Sequence, residues 1–283
     1  MPIAGSPATR CILSGLRLIS SAGFLLWVFV DMTLKSSTIP YHYVSNPLVY
    51  GLIAIMLLGG CRPSETVKRH DFEIQGIDVS HHQGEIDWPR LAEQPIHFVY
   101  IKATEGGDHK DRLYQANWDQ ALAVGIKRGA YHFFRPGTPV LYQVLNFIRT
   151  VKLEEGDLPP VVDIEVRDGV MPDKLIESVR TWLLWIEAFY GMRPIIYSNQ
   201  DFFNDYLAGH FPDHKCWIAR YSESEPCIDA PKDWDFWQYG NRGRLEGVAG
   251  FVDFNVFRGD RHAFENLQRP AMKKGSIAIA TDP

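Results

Sequence analysis

From Phe72 onward the chain alternates short apolar runs with amphipathic stretches. Runs rich in β-branched and aromatic residues predict strands at 73–79, 97–102, 127–133, 160–164, 194–197, 215–219, 234–237 and 251–255. Helical spacing of the apolar positions predicts helices at 112–125, 138–153 and 172–190. The last opens on Pro172 and Asp173, which suit a first turn, and stops at Gly191, a C-cap residue. Eight strands separated by helices within about two hundred residues predict an α/β fold, a closed TIM-like β/α barrel. The connections at 222–232 and 240–250 read as loops, so the barrel is expected to be irregular, with some helices missing in its C-terminal half.

The fourth strand carries the most informative pattern. Pro159 and Pro160 end the preceding segment, and Val161, Val162, Asp163, Ile164 and Glu165 follow. Side chains alternate across a strand, so Asp163 and Glu165 share a face and Ile164 takes the other. Two adjacent carboxyls resist ionising together, and one proton is retained. Cleavage of a sugar bond needs that asymmetry, a protonated acid beside an ionised partner. The plainer reading is a strand end open to water.

Barrel chemistry gathers at the C-terminal ends of strands, so the other strands should end in polar groups too. Strand one ends with Asp78 and Ser80, the third with Tyr131 and His132, and the fifth with Tyr197, Ser198 and Asn199. The seventh ends in Trp237, Gln238 and Tyr239, and the eighth carries Asp253 and Asn255. Acids therefore recur at strands one, four and eight. Tyr131 reads as barrel filling, Trp88 as core, and the Lys102/Glu105 pair as a structural brace.

Composition narrows the classes. A net charge of −5 over 283 residues gives no basic signature and argues against a nucleic-acid partner. Aromatics make up 13%, and such rings can stack on sugars or simply fill a core. His81, His82 and His132 lie among aspartates without any recognised zinc spacing, so no metal is expected. No internal repeat is present, and a monomer is expected.

The first seventy residues have a different character. Two apolar runs, 18–30 and 48–58, are each shorter than the roughly 20 residues of a spanning helix. The second leads into Leu58, Gly59, Gly60 and Cys61, similar to a bacterial lipobox. On that reading Cys61 is lipidated, Met32 opens the signal peptide and Lys35 is its positive residue. The alternative is an anchor or an uncleaved signal at 18–30. Both place the domain outside the cytoplasm, as a membrane-attached lipoprotein or otherwise membrane-anchored or secreted. The expected division is 1–61 for targeting, 62–71 as linker, 72–270 as barrel and 271–283 as tail. Cys216 and Cys227 are candidates for a small disulfide loop if the domain is exported.

Seven blocks, taken in register, resemble glycoside hydrolase family 25 lysozymes. They are Gly76 to Gly84 with Ile86, Asp87 and Trp88; Phe98 to Gly106; Gly129 to Phe134; Pro160 to Glu165; Pro194 to Asn199; Trp237 to Tyr239; and Val252 to Asn255. The resemblance covers 73–264 and implies a flattened, partly irregular barrel. It implies cleavage of the β-1,4 bond between N-acetylmuramic acid and N-acetylglucosamine in peptidoglycan, with no cofactor. It makes Glu165 the general acid, and so the group expected to carry the raised pKa. Asp163, Asp78 and Asp253 are the carboxylates around it, with Asp163 facing the substrate's N-acetyl group. Tyr197, Gln238, Asn255, His132, Tyr239 and Trp237 are the candidate substrate-binding residues. His82 departs from the aromatic residue found in many relatives, which bears on how the groove rim stacks on sugar. A catalytically silent glycan-binding module on the same barrel is the alternative, and the four intact carboxylates favour the enzyme.

Overall fold

The structure is a computed structural model that describes residues 72–271. The expected targeting region, the Cys61 lipidation site, the linker and most of the tail lie outside the described residues. The strands are β1 (Ile74–Val79), β2 (Phe98–Glu105), β3 (His109–Lys110), β4 (Lys127–Phe133), β5 (Val161–Asp163), β6 (Ile195–Asn199), β7 (Cys216–Ala219), β8 (Phe236–Gly243) and β9 (Val252–Phe257). The main helices are α1 (Trp88–Ala92), α2 (Tyr114–Ala123), α3 (Val140–Thr150) and α4 (Pro172–Tyr190).

Eight strands close into a barrel, with β1 pairing to β2 on one side and to β9 on the other. The two-residue β3 is an additional edge strand on β2. Every junction from β1 through β8 is parallel, but β9 is antiparallel to both β8 and β1. That corrects the expectation that Asp253 closes its strand at a C-terminal end. It reaches the mouth because β9 starts there, where Asp253 pairs with Asp78. The reason is local: β8 continues past 237 to Gly243 and turns back as a long hairpin, with no helix to reverse the chain.

Two apolar layers hold the barrel. Ile74, Phe98, Tyr100, Val161, Ile195, Trp217, Phe236 and Phe257 fill the lumen, and Phe264 belongs to the same cluster. Alternate residues of the same strands, such as Ile77, Val99, Ile101, Val162, Ile196 and Ile218, join the outer layer with Trp118, Phe147 and Trp182 of the helices. Strands covered on both faces need continuous apolar runs, which is how they read in the sequence. Gly76 and Gly129 lie where a Cβ would overlap the Phe98 and Tyr100 rings, so the lumen's aromatic packing requires them. Pro172 at the first turn of α4 and a left-handed Gly191 (φ 67°) at its end bound that helix as the sequence predicts.

Cys216 is a free thiol, so the expected bridge to Cys227 is not formed. Its side chain points to the outer layer, and burial pushes the thiol up to about 11. The backbone of Cys227 is held elsewhere, by Gln200 and Asn204.

Candidate active site

The lumen opens at one end into a cavity of ≈ 270 Å³. Alternation along each strand decides what enters it. β1 contributes Asp78, β2 Lys102, β4 Tyr131 and Phe133, β5 Asp163 with Glu165 beyond it, β6 Tyr197, β7 Trp217, β8 Gln238 and β9 Asp253. Ser80, His82, Val161 and Tyr221 complete the lining. Ile164 turns outward and is buried in the helical layer, which leaves Asp163 and Glu165 together on the inner face.

A hydrogen-bond relay fixes the far wall. Asp78 Oδ2 accepts from Gln238 Nε2 at 2.7 Å and from Asn255 Nδ2 at 2.8 Å. Gln238 Oε1 in turn accepts from the hydroxyls of Tyr197 at 2.8 Å and Tyr221 at 2.9 Å. Trp217 Nε1 donates to Asn255 Oδ1 at 2.8 Å. Asp78 is thus oriented by two amides, each set by an aromatic side chain. By contrast, Oδ1 of the buried Asp163 has no hydrogen-bond partner, a costly state that a ligand donor can relieve.

Three carboxyls hold protons above their ordinary range. Burial raises Asp78 to about 6, opposed by the Asn255 and Gln238 bonds and helped by the charge of Glu165. Burial, then the Glu165 charge, holds Asp163 well above a usual carboxyl. Burial also raises Glu165, opposed by the Tyr197 hydroxyl and the Lys102 charge. Glu165 is raised, but so is the deeper-buried Asp163, so the expectation that Glu165 is the member of the pair carrying the raised pKa is not met in the free protein.

The structure divides the other candidates by strand parity. Tyr197 and Gln238 line the cavity, and Asn255 sits behind Asp78. Trp237 and Tyr239 flank Gln238 and so face outward: Trp237 Nε1 donates to Arg220 O, and Tyr239 stacks on Phe254. His132 is fully buried and stacks on Trp182, away from the cavity, whereas Tyr131, read as filling, lines it. These placements correct the readings of Trp237, Tyr239 and His132, while Tyr131 packs against the lumen cluster as filling and lines the cavity as well. Lys102, Phe133, Trp217 and Tyr221 were not among the site residues read from the sequence. The signal for the first three is the same alternation that pairs Asp163 with Glu165.

His132 has its own chemistry. Gln143 spends its amide nitrogen on the carbonyls of Arg135 and Thr138, so its oxygen accepts from His132 Nε2–H at 3.0 Å. Nδ1 then accepts from the Thr104 hydroxyl at 2.7 Å. Burial lowers the imidazole to about 4 and keeps it neutral. Because the folded value lies below the unfolded one, its contribution to stability is full above about pH 6.5 and is lost as pH falls toward 4. The expected loss is up to about 3 kcal/mol. Denaturation midpoints of the native protein should fall between pH 7 and 4.5 more steeply than those of His132→Gln, which starts lower but lacks this titration.

A closed barrel that gathers coupled, buried carboxyls and aromatic side chains at one mouth is built for acid–base cleavage of glycosidic bonds. The family model described as "Glycosyl hydrolases family 25" matches residues 77–248. The chain is 38% identical over 208 residues to the uncharacterized protein YegX of Escherichia coli O157:H7, covering 71% of this chain and 76% of that one. It is 36% identical over 200 residues to Lysozyme M1 of Streptomyces globisporus, covering 66% and 68%. The fold is similar to that of a family 25 glycosyl hydrolase from Bacillus anthracis, with a TM-score of 0.68, 32% identity and coverage of 74% and 99%. A lysozyme from Streptomyces coelicolor gives a TM-score of 0.65 at 32% identity, covering 69% and 96%. The chain belongs to glycosyl hydrolases family 25 and is a glycoside hydrolase.

Proposed function

We propose that the protein is a muramidase that hydrolyses the β-1,4 bond between N-acetylmuramic acid and N-acetylglucosamine in peptidoglycan. The observation that carries this reading is the coupled pair on one inner strand face, Glu165 lining the cavity and Asp163 buried beside it with an oxygen lacking a donor. The lysozyme relatives support the substrate class.

Glu165 donates its proton to the leaving oxygen of N-acetylglucosamine. The acetamide N–H of the muramic acid residue donates to Asp163 Oδ1, and its carbonyl oxygen attacks C1 as the glycosidic bond breaks. Glu165, now ionised, takes a proton from the water that opens the cyclic intermediate, which regenerates the acid. The same contact moves the shared proton where it is needed. Donation to Asp163 favours its anion, and that new charge raises Glu165. Asp78, held by Gln238 and Asn255, and Asp253 place further negative charge around the oxocarbenium-like centre.

Peptidoglycan lies outside the cytoplasm, so the reaction fits an exported protein, held at the membrane through Cys61 or an anchor at 18–30. Purified peptidoglycan incubated with the protein should yield fragments with new reducing ends at muramic acid, identified by mass. New ends at N-acetylglucosamine, or none, would reject the proposed reaction.

A further inference from the structure

The mechanism above leaves Lys102 and Glu105 unused, yet they open a chain of ions across the mouth. Lys102 Nζ donates to Glu105 Oε2 at 2.7 Å, and Arg135 Nη1 meets Glu105 Oε1 at 3.4 Å. Arg135 then grips Asp168 with two parallel bonds, Nε to Oδ2 and Nη2 to Oδ1, each 2.9 Å. The chain ties the end of β2 to the loop after β4, and that loop to the segment three residues beyond Glu165.

Each link is braced from behind. The Arg135 N–H donates to Gln143 Oε1 and its carbonyl accepts from Gln143 Nε2, the same side chain that His132 holds. Asp168 takes a left-handed backbone, φ 48°, a region that aspartate and asparagine enter more readily than other non-glycine residues. The Lys102 side chain is 11% exposed, and its ammonium lies 5.1 Å from the centre of the Phe133 ring. A charge so placed is poorly screened by solvent ions.

We propose that the Lys102–Glu105–Arg135–Asp168 chain is a positioning device for the proposed hydrolysis. It fixes the Lys102 ammonium among the cleft carboxyls and so sets how many protons they keep. Signs alternate along the chain, so its cleft end is positive and its outer end negative. Among the described residues Lys102 is the one lysine or arginine lining the cavity, which it shares with Asp78 on β1, Asp163 on β5, Glu165 just beyond it, and Asp253 on β9. His82 lies at the same cavity, and His109, Arg135 and the neutral His132 stand behind Glu105. The Lys102 charge draws both Asp163 and Glu165 downward, against the burial that raises them. A lysine free to swing into solvent would leave that balance unset, and the tether explains why a strand lysine is spent on an ion pair three residues away.

A variant that moves the ammonium without removing a charge distinguishes this role from a simple brace. In profiles of kcat/KM against pH on solubilised peptidoglycan, Lys102→Met should move both limbs upward by about one pH unit, and Lys102→Arg should bring them back. Glu105→Asp keeps the charge but draws the ammonium away from the cleft, so it should move both limbs upward by less than Lys102→Met. Limbs that stay in place in Lys102→Met, or that stay in place or move downward in Glu105→Asp, would overturn the proposal. The inference rests on the muramidase reading, but the carboxyl titrations of the same variants followed by ¹³C NMR need no turnover. A native protein inert on peptidoglycan rejects the reaction, and the NMR shifts still decide the ion chain.

Discussion

Glu165→Gln is expected to lose about 10²–10⁴-fold in turnover on peptidoglycan while still binding glycan. Glutamine keeps the shape and polarity of the side chain but cannot transfer a proton to the leaving oxygen. Asp163→Asn should also be slow, for another reason. In the proposed mechanism, asparagine removes the anion that would receive the acetamide N–H and whose charge would then raise Glu165. Turnover measured beside sedimentation with insoluble peptidoglycan checks both. Loss of binding in step with activity would mean that the variants damage the groove rather than the chemistry. Near-normal turnover of Glu165→Gln would remove Glu165 from the role of acid.

The second large effect is on stability. Arg128 and Asp157 are 2% and 3% exposed, and Arg128 Nε meets Asp157 Oδ1 at 2.7 Å. Arg128 also donates to the carbonyl of Trp118 and lies 4.2 Å from the centre of its ring. Burial nonetheless raises Asp157 even with the guanidinium against it, so the pair as a unit is held at a desolvation cost. Breaking it is worse than having it. Asp157→Asn leaves the buried Arg128 with only the exposed Glu154 as counter-charge and should cost about 3–5 kcal/mol in unfolding free energy, read by urea denaturation. Glu154 also meets Arg128 at 2.7 Å but is 64% exposed, and Glu154→Gln should cost less than about 1 kcal/mol. Replacing both buried partners, Arg128→Met with Asp157→Leu, should cost much less than Asp157→Asn. Equal losses for Asp157→Asn and Glu154→Gln would contradict this account.

What was legible in the sequence follows from what is local. Apolar runs placed the barrel strands, and Pro172 and Gly191 bounded α4, because strand burial and helix caps are written within a few residues. The shared face of Asp163 and Glu165 was legible for the same reason. Which parity of each strand looks into the lumen depends on how the sheet closes. The sequence pattern therefore offers Trp237, Tyr239 and His132 for the site, although their immediate neighbours, Gln238 and Tyr131, line it. The direction of β9 depends on a hairpin, so the sequence marks Asp253 as an acid of the mouth but not that its strand starts there. The bonds that orient Asp78 join residues 160 and 177 positions apart, and no local pattern announces them. Lys102 and Glu105 read as a brace because the pair is visible alone, while Arg135 and Asp168 join it only in space.

The division of labour between the two strand acids is tested most directly by a substrate whose leaving group needs little protonation, an aryl glycoside of the same sugar. Rates of the native protein, Glu165→Gln and Asp163→Asn should be compared on it and on peptidoglycan. The account predicts that the activated substrate restores much of the rate of Glu165→Gln and leaves Asp163→Asn slow, because only the first lacks a proton donor. An equal response of the two variants would contradict it.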